Sequence, residues 1–334
     1  MVVSNDGPAI IDRNLALELA RVTEAAALMA GRWMGRGDKE AADQAAVDAM
    51  RQVLDTIQME GEVVIGEGEK DDAPMLYTGE RVGCADEPKV DIAVDPIDGT
   101  RLLALGMPNS ITVVAIAERG ALYSWQDIAY MEKIAVGPEA IGAIRIDRSV
   151  TENLENIAKA KRRDVQDLTV VVLDRPRHES IIAEARQAGA RIKLITDGDV
   201  AGALMAAMVG TGIDVLMGIG GSPEAVIAAC ALKCVGGDMQ CRLWPRNEAE
   251  RRRAEDQHIN VERVLTIDDL VSGDNVFFAA TGITDGELLE GVQYIGDGAT
   301  THSVVMRAKS GTVRHIRSTH RLSKLRTYSS IPFD

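Results

Sequence analysis

Aromatic residues are scarce in this chain of 334 residues: Phe, Trp and Tyr make up 3% of it, while hydrophobic residues as a whole make up 46%. The core must therefore be built from Ala, Val, Ile, Leu and Met. Such a composition suits a helix-and-sheet enzyme better than a nucleic-acid platform that stacks bases on aromatic rings. Basic residues are also outnumbered, and the formal net charge is −14. Because this surface repels phosphate backbones and anionic membranes, we expect neither a nucleic-acid partner nor a membrane partner.

Cysteine and histidine patterns of a metal or redox site are missing as well. Cys84, Cys230, Cys234 and Cys241 lack the paired spacing of a zinc site, and we interpret them as reduced thiols of the core. None of the five histidines has the spacing of a metal site or a catalytic triad. No apolar run reaches the roughly 20 residues of a membrane span, and the N-terminus lacks the pattern of a secretory leader. The sequence therefore predicts a cytoplasmic protein.

Apolar periodicity predicts both helices and strands. Two N-terminal helices are expected at 12–33, with Asp12 as N-cap, and at 40–59, with Asp43 in the first turn. Strands are expected at 62–65, 90–94 and 110–118. Beyond residue 150, strands at 168–173, 192–195 and 213–217 alternate with helices at 178–188, 200–209 and 224–234. This alternation favours an α/β fold with a sheet covered on both faces, and we divide the chain into lobes 1–150 and 151–334.

Residues 90–100 carry the most informative pattern, an apolar strand followed by Asp95, Asp98 and Thr100 in a tight Pro/Gly turn. Two carboxylates three residues apart, with a hydroxyl two residues further on, are what a hard divalent cation and an activated water require. The alternative is a turn whose acids only bind backbone N–H groups, and for an isolated turn the two interpretations are about equally good. The metal interpretation gains support from a second strand end, where Glu67 lies between two glycines.

Other acids in this part of the chain have simpler interpretations. Glu67 could belong to a flexible acidic loop, and Asp43 could stabilise the N-terminus of its helix through the macrodipole. We interpret Glu69, Asp71 and Asp72 as solvated charges.

Residues 214–224 predict a strand, a glycine turn and the start of a helix, where exposed N–H groups could bind a phosphate or a sugar oxygen. The segment is not a dinucleotide fingerprint, because Pro223 occupies the third glycine position. Glu224 at the helix start is either an acid that stabilises the helix dipole or a metal ligand, and the sequence leaves both open.

Two arginines close another strand, and their planar guanidinium groups match a phosphate in a way that lysine cannot. They are Arg175 and Arg177, and surface salt bridges are the alternative for them. Asp197 and Asp199 follow the next strand and could accept hydrogen bonds from sugar hydroxyls or cap a helix. Residues 246–260 are charged and free of aromatics, so we interpret them as a solvated helix or loop and not as a binding element.

Together these segments resemble the class II fructose-1,6-bisphosphatases of the GlpX type, within the lithium-sensitive sugar and inositol phosphatase superfamily. The resemblance runs over nearly the whole length, through segments 35–43, 64–69, 71–77, 91–100, 130–133, 175–178, 197–199 and 218–224. It implies a layered αβαβα fold with two mixed sheets, and helices between and outside them. Many family members carry Glu where this chain has Asp98, a change that keeps the charge and matches the wider superfamily.

The resemblance also implies the site. It implies binding of Mg²⁺ or Mn²⁺ by Asp43, Glu67, Asp95, Asp98 and Glu224, so that the lobe 1–150 carries most metal ligands. It implies catalytic roles for Asp43, Glu67 and Thr100. The implied substrate contacts are Asp98, Gly99, Thr100, Tyr130, Arg175, Pro176, Arg177, Asp197, Gly198, Asp199 and Gly221, most of them in the lobe 151–334.

The implied reaction is hydrolysis of the 1-phosphate of fructose 1,6-bisphosphate to fructose 6-phosphate and phosphate, in gluconeogenesis or Calvin-type carbon metabolism. Sedoheptulose-1,7-bisphosphatase activity, alone or as a second activity, is the alternative. An inositol monophosphatase has no need of a second phosphate clamp at Arg175 and Arg177. A non-catalytic sugar-phosphate sensor would be favoured by loss of Thr100 or a metal acid, and neither is lost here. The family resemblance suggests a homodimer or homotetramer.

Overall fold

The computed structural model describes residues 15–68, 75–124, 128–327, 331 and 333. Their strands are β1 (Glu60–Ile65), β2 (Arg81–Val82), β3 (Lys89–Asp98), β4 (Ile111–Glu118), β5 (Tyr130–Val136), β6 (Thr169–Leu173), β7 (Arg191–Ile195), β8 (Val215–Gly221), β9 (Asp238–Leu243), β10 (Leu265–Thr266), β11 (Phe277–Gly282), β12 (Gln293–Ile295), β13 (Gly298–Arg307) and β14 (Thr312–Arg321). Their α-helices are α1 (Leu15–Ala30), α2 (Lys39–Leu54), α3 (Thr100–Leu105), α4 (Val150–Lys161), α5 (Glu179–Gln187), α6 (Asp199–Ala207), α7 (Ser222–Val235), α8 (Glu248–Asp256), α9 (Ile267–Leu270) and α10 (Leu322–Leu325). The predicted residues Asp12, Glu69, Asp71 and Asp72 lie outside the described part of the chain.

The strands form two mixed sheets. The first has the order β12-β13-β11-β4-β3-β1-β2, with β14 paired to β13, and β1 runs parallel to β3 while the other described pairs are antiparallel. The second has the order β10-β9-β5-β8-β6-β7, and β6 runs parallel to both β7 and β8. The mixed sheets of the predicted α/β fold are confirmed.

Hydrophobic clusters arrange these sheets in layers with the helices. The helices α6 and α7 share one buried cluster with residues of both sheets, such as Ala115 of β4 and Ala135 of β5. Most side chains of α6 and α7 are buried, as expected for helices that are apolar on all sides. The helices α1 and α2 pack on the outer face of the first sheet, and α4 and α5 on the outer face of the second. These are the five layers, αβαβα, that the family resemblance implies.

The sheets do not follow the predicted division at residue 150. Strand β5 lies before that position and joins the second sheet, whereas β11 to β14 lie after it and return to the first sheet. The chain therefore crosses between the sheets more than once, and the division into lobes 1–150 and 151–334 stays a prediction.

The predicted second helix is too long. Helix α2 begins after Asp38, whose side chain accepts a hydrogen bond from the Ala41 N–H at 3.0 Å, and it ends at Leu54 instead of residue 59. Ile57 and Met59 are both buried, so the apolar stripe continues through a segment that has left the helix. The predicted helix was extended too far because the prediction followed apolar residues, and a turn that packs on the core can be as apolar as a helix.

The tight turn predicted at residues 95–100 is also corrected. Strand β3 continues through Asp98, and its register against β4 shifts between Asp95 and Asp98. The reversal comes one residue later at Gly99, whose φ of 95° lies in the left-handed region that glycine adopts without strain. The acids are therefore held by a bulged strand, which re-aims side chains at the edge of a site.

Two further sequence predictions can be compared with the fold. All four cysteines are free; Cys230, Cys234 and Cys241 are buried as predicted, but Cys84 is exposed and the core interpretation is wrong for it. In the described part of the chain, no helix combines the length and the apolarity that a membrane crossing needs.

Candidate active site

A cavity of about 670 Å³ lies where the ends of β1, β3, β5 and β8 meet the start of α6 and α7. It gathers most of the residues predicted for the site. The predicted residues that line it are Glu67, Asp95, Asp98, Gly99, Thr100, Tyr130, Arg175, Arg177, Asp197, Gly198, Asp199, Gly221 and Glu224. Asp43 and Pro176 are not among the lining residues.

Glu67 follows the end of β1 in a turn built from glycines. Its N–H donates to the Leu76 carbonyl at 2.9 Å, and a Cβ at Gly66 would lie 1.9 Å from the same oxygen, so only glycine fits there. The Glu67 side chain is exposed to the cavity but surrounded by protein. This burial, followed by repulsion from Asp43 and Glu224, raises its pKa to about 7.

Asp95 and Asp98 occupy the bulged end of β3. The Ile97 N–H donates to Asp95 Oδ1 at 3.1 Å, and the Ala201 N–H, in the first turn of α6, donates to Asp98 Oδ2 at 2.9 Å. Burial raises the pKa of both carboxyls well above the usual range, and Asp98 adds to this for Asp95 while Asp199 adds to it for Asp98. Both acids thus make the backbone hydrogen bonds of the simpler interpretation, yet they also lie among other acids.

Thr100 is the first residue of α3 and contacts Asp43. Its Oγ1 lies 3.2 Å from Asp43 Oδ1 and 3.2 Å from the Ile97 carbonyl, so its one proton can be donated to either oxygen. Asp43 is the fifth residue of α2, and Asp38 takes the N-cap position, so Asp43 lies beyond the first turn, in which the helix macrodipole favours an acid. Burial raises the pKa of Asp43 to about 6, against the lowering effect of the Thr100 hydrogen bond.

Glu224 is the third residue of α7, and its side chain folds back over the turn before the helix. A Cβ at Gly221 would lie 1.7 Å from Glu224 Oε2, so this conformation depends on glycine. Among the described residues, Oε2 is a buried oxygen with no hydrogen-bond partner. Burial, then Asp199, raises the pKa of Glu224. An unpartnered buried carboxylate oxygen favours a ligand role over helix stabilisation alone.

Lys133 is a site residue that sequence reasoning missed. It lies on β5 with 3% of its surface exposed, and its Nζ donates to Asp199 Oδ2 at 2.7 Å and to the Gly221 carbonyl at 3.0 Å. Burial lowers the pKa of Lys133, but attraction by Asp199 and Glu224 outweighs this and the pKa is raised. A lone lysine in a strand gives no sequence signal of its own, because its partner lies 66 positions away.

Asp197 and Asp199 flank Gly198, the N-cap residue of α6, whose φ is 80°. Asp197 Oδ2 accepts a hydrogen bond from the Arg101 N–H at 3.2 Å, and Asp199 is held by Lys133. The predicted helix-capping alternative is therefore not needed for Asp199. Its carboxylate lies 8% exposed at the cavity wall.

Arg175 and Arg177 are positioned by backbone carbonyls. Arg175 Nη2 donates to the Thr196 carbonyl at 2.8 Å, and Arg177 Nη2 donates to the Ile219 carbonyl at 2.8 Å. The salt bridges expected on the simpler interpretation are replaced by these contacts. Pro176 begins the short 3₁₀ turn between the two arginines and is exposed.

Arg246 also lines the cavity, so the interpretation of 246–260 as a solvated segment is wrong at its first residue. Its Cζ lies 5.5 Å from the centroid of the Tyr130 ring, and Arg177 Cζ lies 5.1 Å from the same centroid. The three consecutive arginines of α8 are exposed as predicted, but Glu250 and Ala254 of the same helix are buried. No composition signal separates Arg246 from those three, because only the fold places it beside Tyr130.

Two groups of side chains therefore meet at this cavity, and Asp43 joins them through its contact with the lining residue Thr100. We call Asp43, Glu67, Asp95, Asp98 and Glu224 the carboxylate cluster, and Arg175, Arg177 and Arg246 the guanidinium cluster. The carboxylate cluster offers only hard oxygen donors, and the unpartnered Glu224 Oε2 is one of them, so its chemistry fits Mg²⁺ or Mn²⁺.

The carboxylates are gathered, but they do not form a finished cage. In the described part of the chain, no group of three or more His, Cys, Asp or Glu side chains is arranged so that it could hold a metal ion. The reason is electrostatic: like charges repel, and Asp43, Asp95 and Asp98 each turn toward a protein donor. Shared coordination therefore requires side-chain rotation within the cluster.

Comparison with known proteins identifies the family. Residues 13–320 match the model of the bacterial, glpX-encoded fructose-1,6-bisphosphatases. The chain is 47% identical over 335 residues to the D-fructose 1,6-bisphosphatase class 2/sedoheptulose 1,7-bisphosphatase of Synechococcus sp. (strain JA-3-3Ab), covering 93% of this chain and 96% of the relative. It is 46% identical over 325 residues to the fructose-1,6-bisphosphatase 1 class 2 of Escherichia coli (strain K12), with the same coverage. The chain belongs to the family of bacterial, glpX-encoded fructose-1,6-bisphosphatases.

Proposed function

We propose that this chain hydrolyses the 1-phosphate of fructose 1,6-bisphosphate and releases fructose 6-phosphate and phosphate. The observation that carries the proposal is the cavity itself, which combines the carboxylate cluster with the guanidinium cluster. A bisphosphate needs both: cations held by acids at the phosphate that reacts, and arginines at the phosphate that stays. Sedoheptulose 1,7-bisphosphate is the second candidate substrate, because the name of the Synechococcus relative includes that activity.

Two or three Mg²⁺ or Mn²⁺ ions would be held by Glu67, Asp95, Asp98 and Glu224, with Asp43 completing the set. Bound there, they would neutralise the reacting phosphate and stabilise charge on the leaving oxygen. Among the described residues, six acids line the cavity, namely Glu67, Asp95, Asp98, Asp197, Asp199 and Glu224, against the three arginines Arg175, Arg177 and Arg246, and the buried Lys133 is paired with Asp199. This imbalance supports a cation requirement.

Thr100 and Asp43 would handle the proton of the attacking water. Thr100 Oγ1 accepts a hydrogen bond from the water and passes its own proton toward Asp43 Oδ1, which lies 3.2 Å away. Before cations bind, burial raises the pKa of Asp43 to about 6, which makes its carboxylate a stronger base than that of an ordinary aspartate. Glu67 lies on the same side of the site and would help to orient the water.

The remaining polar groups would hold the sugar phosphate. Arg175 and Arg177 bind the phosphate that is not hydrolysed, and Pro176 sets the spacing between them. Tyr130 packs beside that phosphate, while Asp197 and Asp199 accept hydrogen bonds from sugar hydroxyls. Gly99, Gly198 and Gly221 keep the wall open where a side chain would block the substrate; at Gly221 a Cβ would also displace Glu224.

Phosphate release from several substrates tests the proposal. Fructose 1,6-bisphosphate, sedoheptulose 1,7-bisphosphate and inositol 1-phosphate are compared in Mg²⁺ and in Mn²⁺, each with and without a chelator. We expect rapid release from one or both bisphosphates, loss of activity in chelator and recovery when either metal is restored. Preference for inositol 1-phosphate, or full activity in chelator, would reject the proposal.

We further propose that the protein works in the cytoplasm as a homodimer or homotetramer. The support for the assembly is the family resemblance, and mass measurement in solution tests it.

A further inference from the structure

The individual contacts proposed above for the phosphate that is not hydrolysed are those of Arg175 and Arg177, yet Arg246 also lies in the cavity wall beside Tyr130. Trp244, two residues earlier, packs its ring edge on Tyr130 at a centroid distance of 6.3 Å and an interplanar angle of 82°. Tyr130 is thus contacted by two guanidinium groups and one indole. Such stacking limits the rotamers of a long side chain and fixes where its charge lies.

A buried carboxylate fixes Arg246 more firmly. Glu250 Oε1 accepts from Arg246 Nε at 2.7 Å and from Nη2 at 2.5 Å, and Glu250 Oε2 accepts from the Arg246 backbone N–H at 2.8 Å. The Glu250 side chain is 1% exposed, whereas the Arg246 side chain that it contacts is 50% exposed. Burying a carboxylate costs free energy, so an arrangement that uses it to orient one arginine is unusual for a solvated segment.

The donors left over define what the guanidinium cluster can bind. Arg177 uses Nε and Nη2 on the Ile219 carbonyl, and Arg246 uses Nε and Nη2 on Glu250. Each therefore keeps both protons of Nη1 and one proton of Nη2 for a ligand. Arg175 spends one donor of each terminal nitrogen on backbone carbonyls, of Asp174 and Thr196. A phosphate with three terminal oxygens accepts more hydrogen bonds than the donors left on one of these arginines supply, so more than one arginine can share it.

On the basis of the proposed function, we propose that Arg246 binds the phosphate that is not hydrolysed, as a third arginine beside Arg175 and Arg177, and that Glu250 positions it. Because the carboxylate cluster would hold cations at the reacting phosphate, the guanidinium cluster would bind the phosphate that is not hydrolysed, which we call the remote phosphate. Arg246 is then a specificity residue: it distinguishes sugar bisphosphates from sugar 1-phosphates.

The test compares two substrates that differ only in the remote phosphate. For Arg246→Gln, we expect KM for fructose 1,6-bisphosphate to rise about 10- to 100-fold, the range for a lost hydrogen bond to a charged group. The kcat should change little, and kcat/KM for fructose 1-phosphate should stay within about twofold. Glu250→Gln keeps an acceptor but loses the charge, so it should give a smaller rise in the same direction. Arg252→Gln removes a charge from an exposed position on the same helix and serves as the matched control.

Arg246→Lys covers the case in which Arg246→Gln does not fold, because lysine retains a cation for Glu250 but not the planar fork. Equal losses on both substrates would mean a structural role and would overturn the proposal, as would an unchanged KM for the bisphosphate.

Calorimetry with fructose 6-phosphate and with fructose supplies a readout independent of turnover. If Arg246→Gln weakens the binding of fructose 6-phosphate but not that of fructose, the inference is supported. This holds even if the wild-type protein fails to hydrolyse the bisphosphate, an outcome that would reject only the proposed function. Equal binding of fructose 6-phosphate by wild type and variant would overturn the inference.

Discussion

The carboxylate cluster and the guanidinium cluster share a cavity but are stabilised in different ways. Each arginine of the guanidinium cluster has protein acceptors, either backbone carbonyls or the buried Glu250. Burial, and then repulsion by other acids of the cluster, instead raises the pKa values of Glu67 and Asp95, and Glu224 keeps a buried oxygen without a described partner. One cluster is therefore ready to bind an anion, while the other is strained by its own charge until cations bind. The difference predicts that removing a charge from the carboxylate cluster stabilises the metal-free protein, whereas removing one from the guanidinium cluster weakens substrate binding.

The largest expected effect separates activity from stability at Asp95. Asp95→Asn removes charge without volume, and loss of several kcal/mol of transition-state stabilisation corresponds to a fall in kcat on the order of 10³. The same change relieves repulsion among the buried acids, so the melting temperature of the metal-free protein should rise.

Steady-state kinetics and thermal unfolding measure both quantities at Asp95. Glu62→Gln, on the neighbouring strand and paired with Arg119, is the control that should leave turnover intact. Near-normal activity of Asp95→Asn would contradict the assignment of the carboxylate cluster.

Lys133 contacts the acidic side of the cavity and tests its charge balance. Lys133→Met leaves Asp199 as a buried, unpaired charge, which costs about 3–5 kcal/mol of unfolding free energy. The double variant Lys133→Met/Asp199→Asn should recover much of this loss. Chemical denaturation gives the values, and Arg317→Met, which breaks an exposed pair with Glu290, should cost no more than about 1 kcal/mol. If the double variant were no more stable than the single one, the buried pair would not be the cause.

Arg177 tests the guanidinium cluster. Arg177→Ala should raise KM for fructose 1,6-bisphosphate by about tenfold or more with little change in kcat, because the lost contact binds substrate and transition state equally. Arg177→Lys should recover this only in part, since one ammonium cannot hold the Ile219 carbonyl and a phosphate in the same geometry. Initial rates over a range of substrate concentrations give KM and kcat for each variant. An unchanged KM in Arg177→Ala would mean that the remote phosphate binds elsewhere.

The smallest expected effect is a pH dependence of stability from His178, which follows the two arginines. The hydrogen bonds assign its proton to Nδ1, which donates to the Leu173 carbonyl at 2.7 Å, while Nε2 accepts from the Ile219 N–H at 2.8 Å. Burial lowers the pKa of His178 in the folded protein. The unfolded chain binds the proton more readily, so this contribution to stability is present above pH ~6.5 and is lost as the pH falls below it.

We expect the free energy of unfolding to fall by about 1 kcal/mol more between pH 7 and pH 5.5 in the wild type than in His178→Gln. Denaturation curves at both pH values measure the difference, and the carboxylates common to both proteins cancel. Parallel pH profiles would show that His178 does not titrate on unfolding.

Sequence patterns predicted the elements better than the contacts between them. The strand ends with Glu67 and Asp98 could be recognised because turn chemistry and apolar runs are local. The ion pair of Lys133 with Asp199 and the approach of Arg246 to Tyr130 could not, because both depend on how β5 lies between β8 and β9. The helix predicted to residue 59 failed for the same reason, since buried Ile57 and Met59 reflect tertiary packing and not helical period.

Asp98 belongs to the first sheet, but the N–H that it accepts belongs to Ala201 at the start of the central helix layer. The Asp98 carboxylate therefore connects the first sheet to the helix layer by a hydrogen bond, and it is also a candidate metal ligand. Any rotation that turned Asp98 fully toward a cation would also loosen α6, and with it the neighbouring Asp199. Cation binding by Asp98 and the packing of α6 are thus coupled through a single side chain.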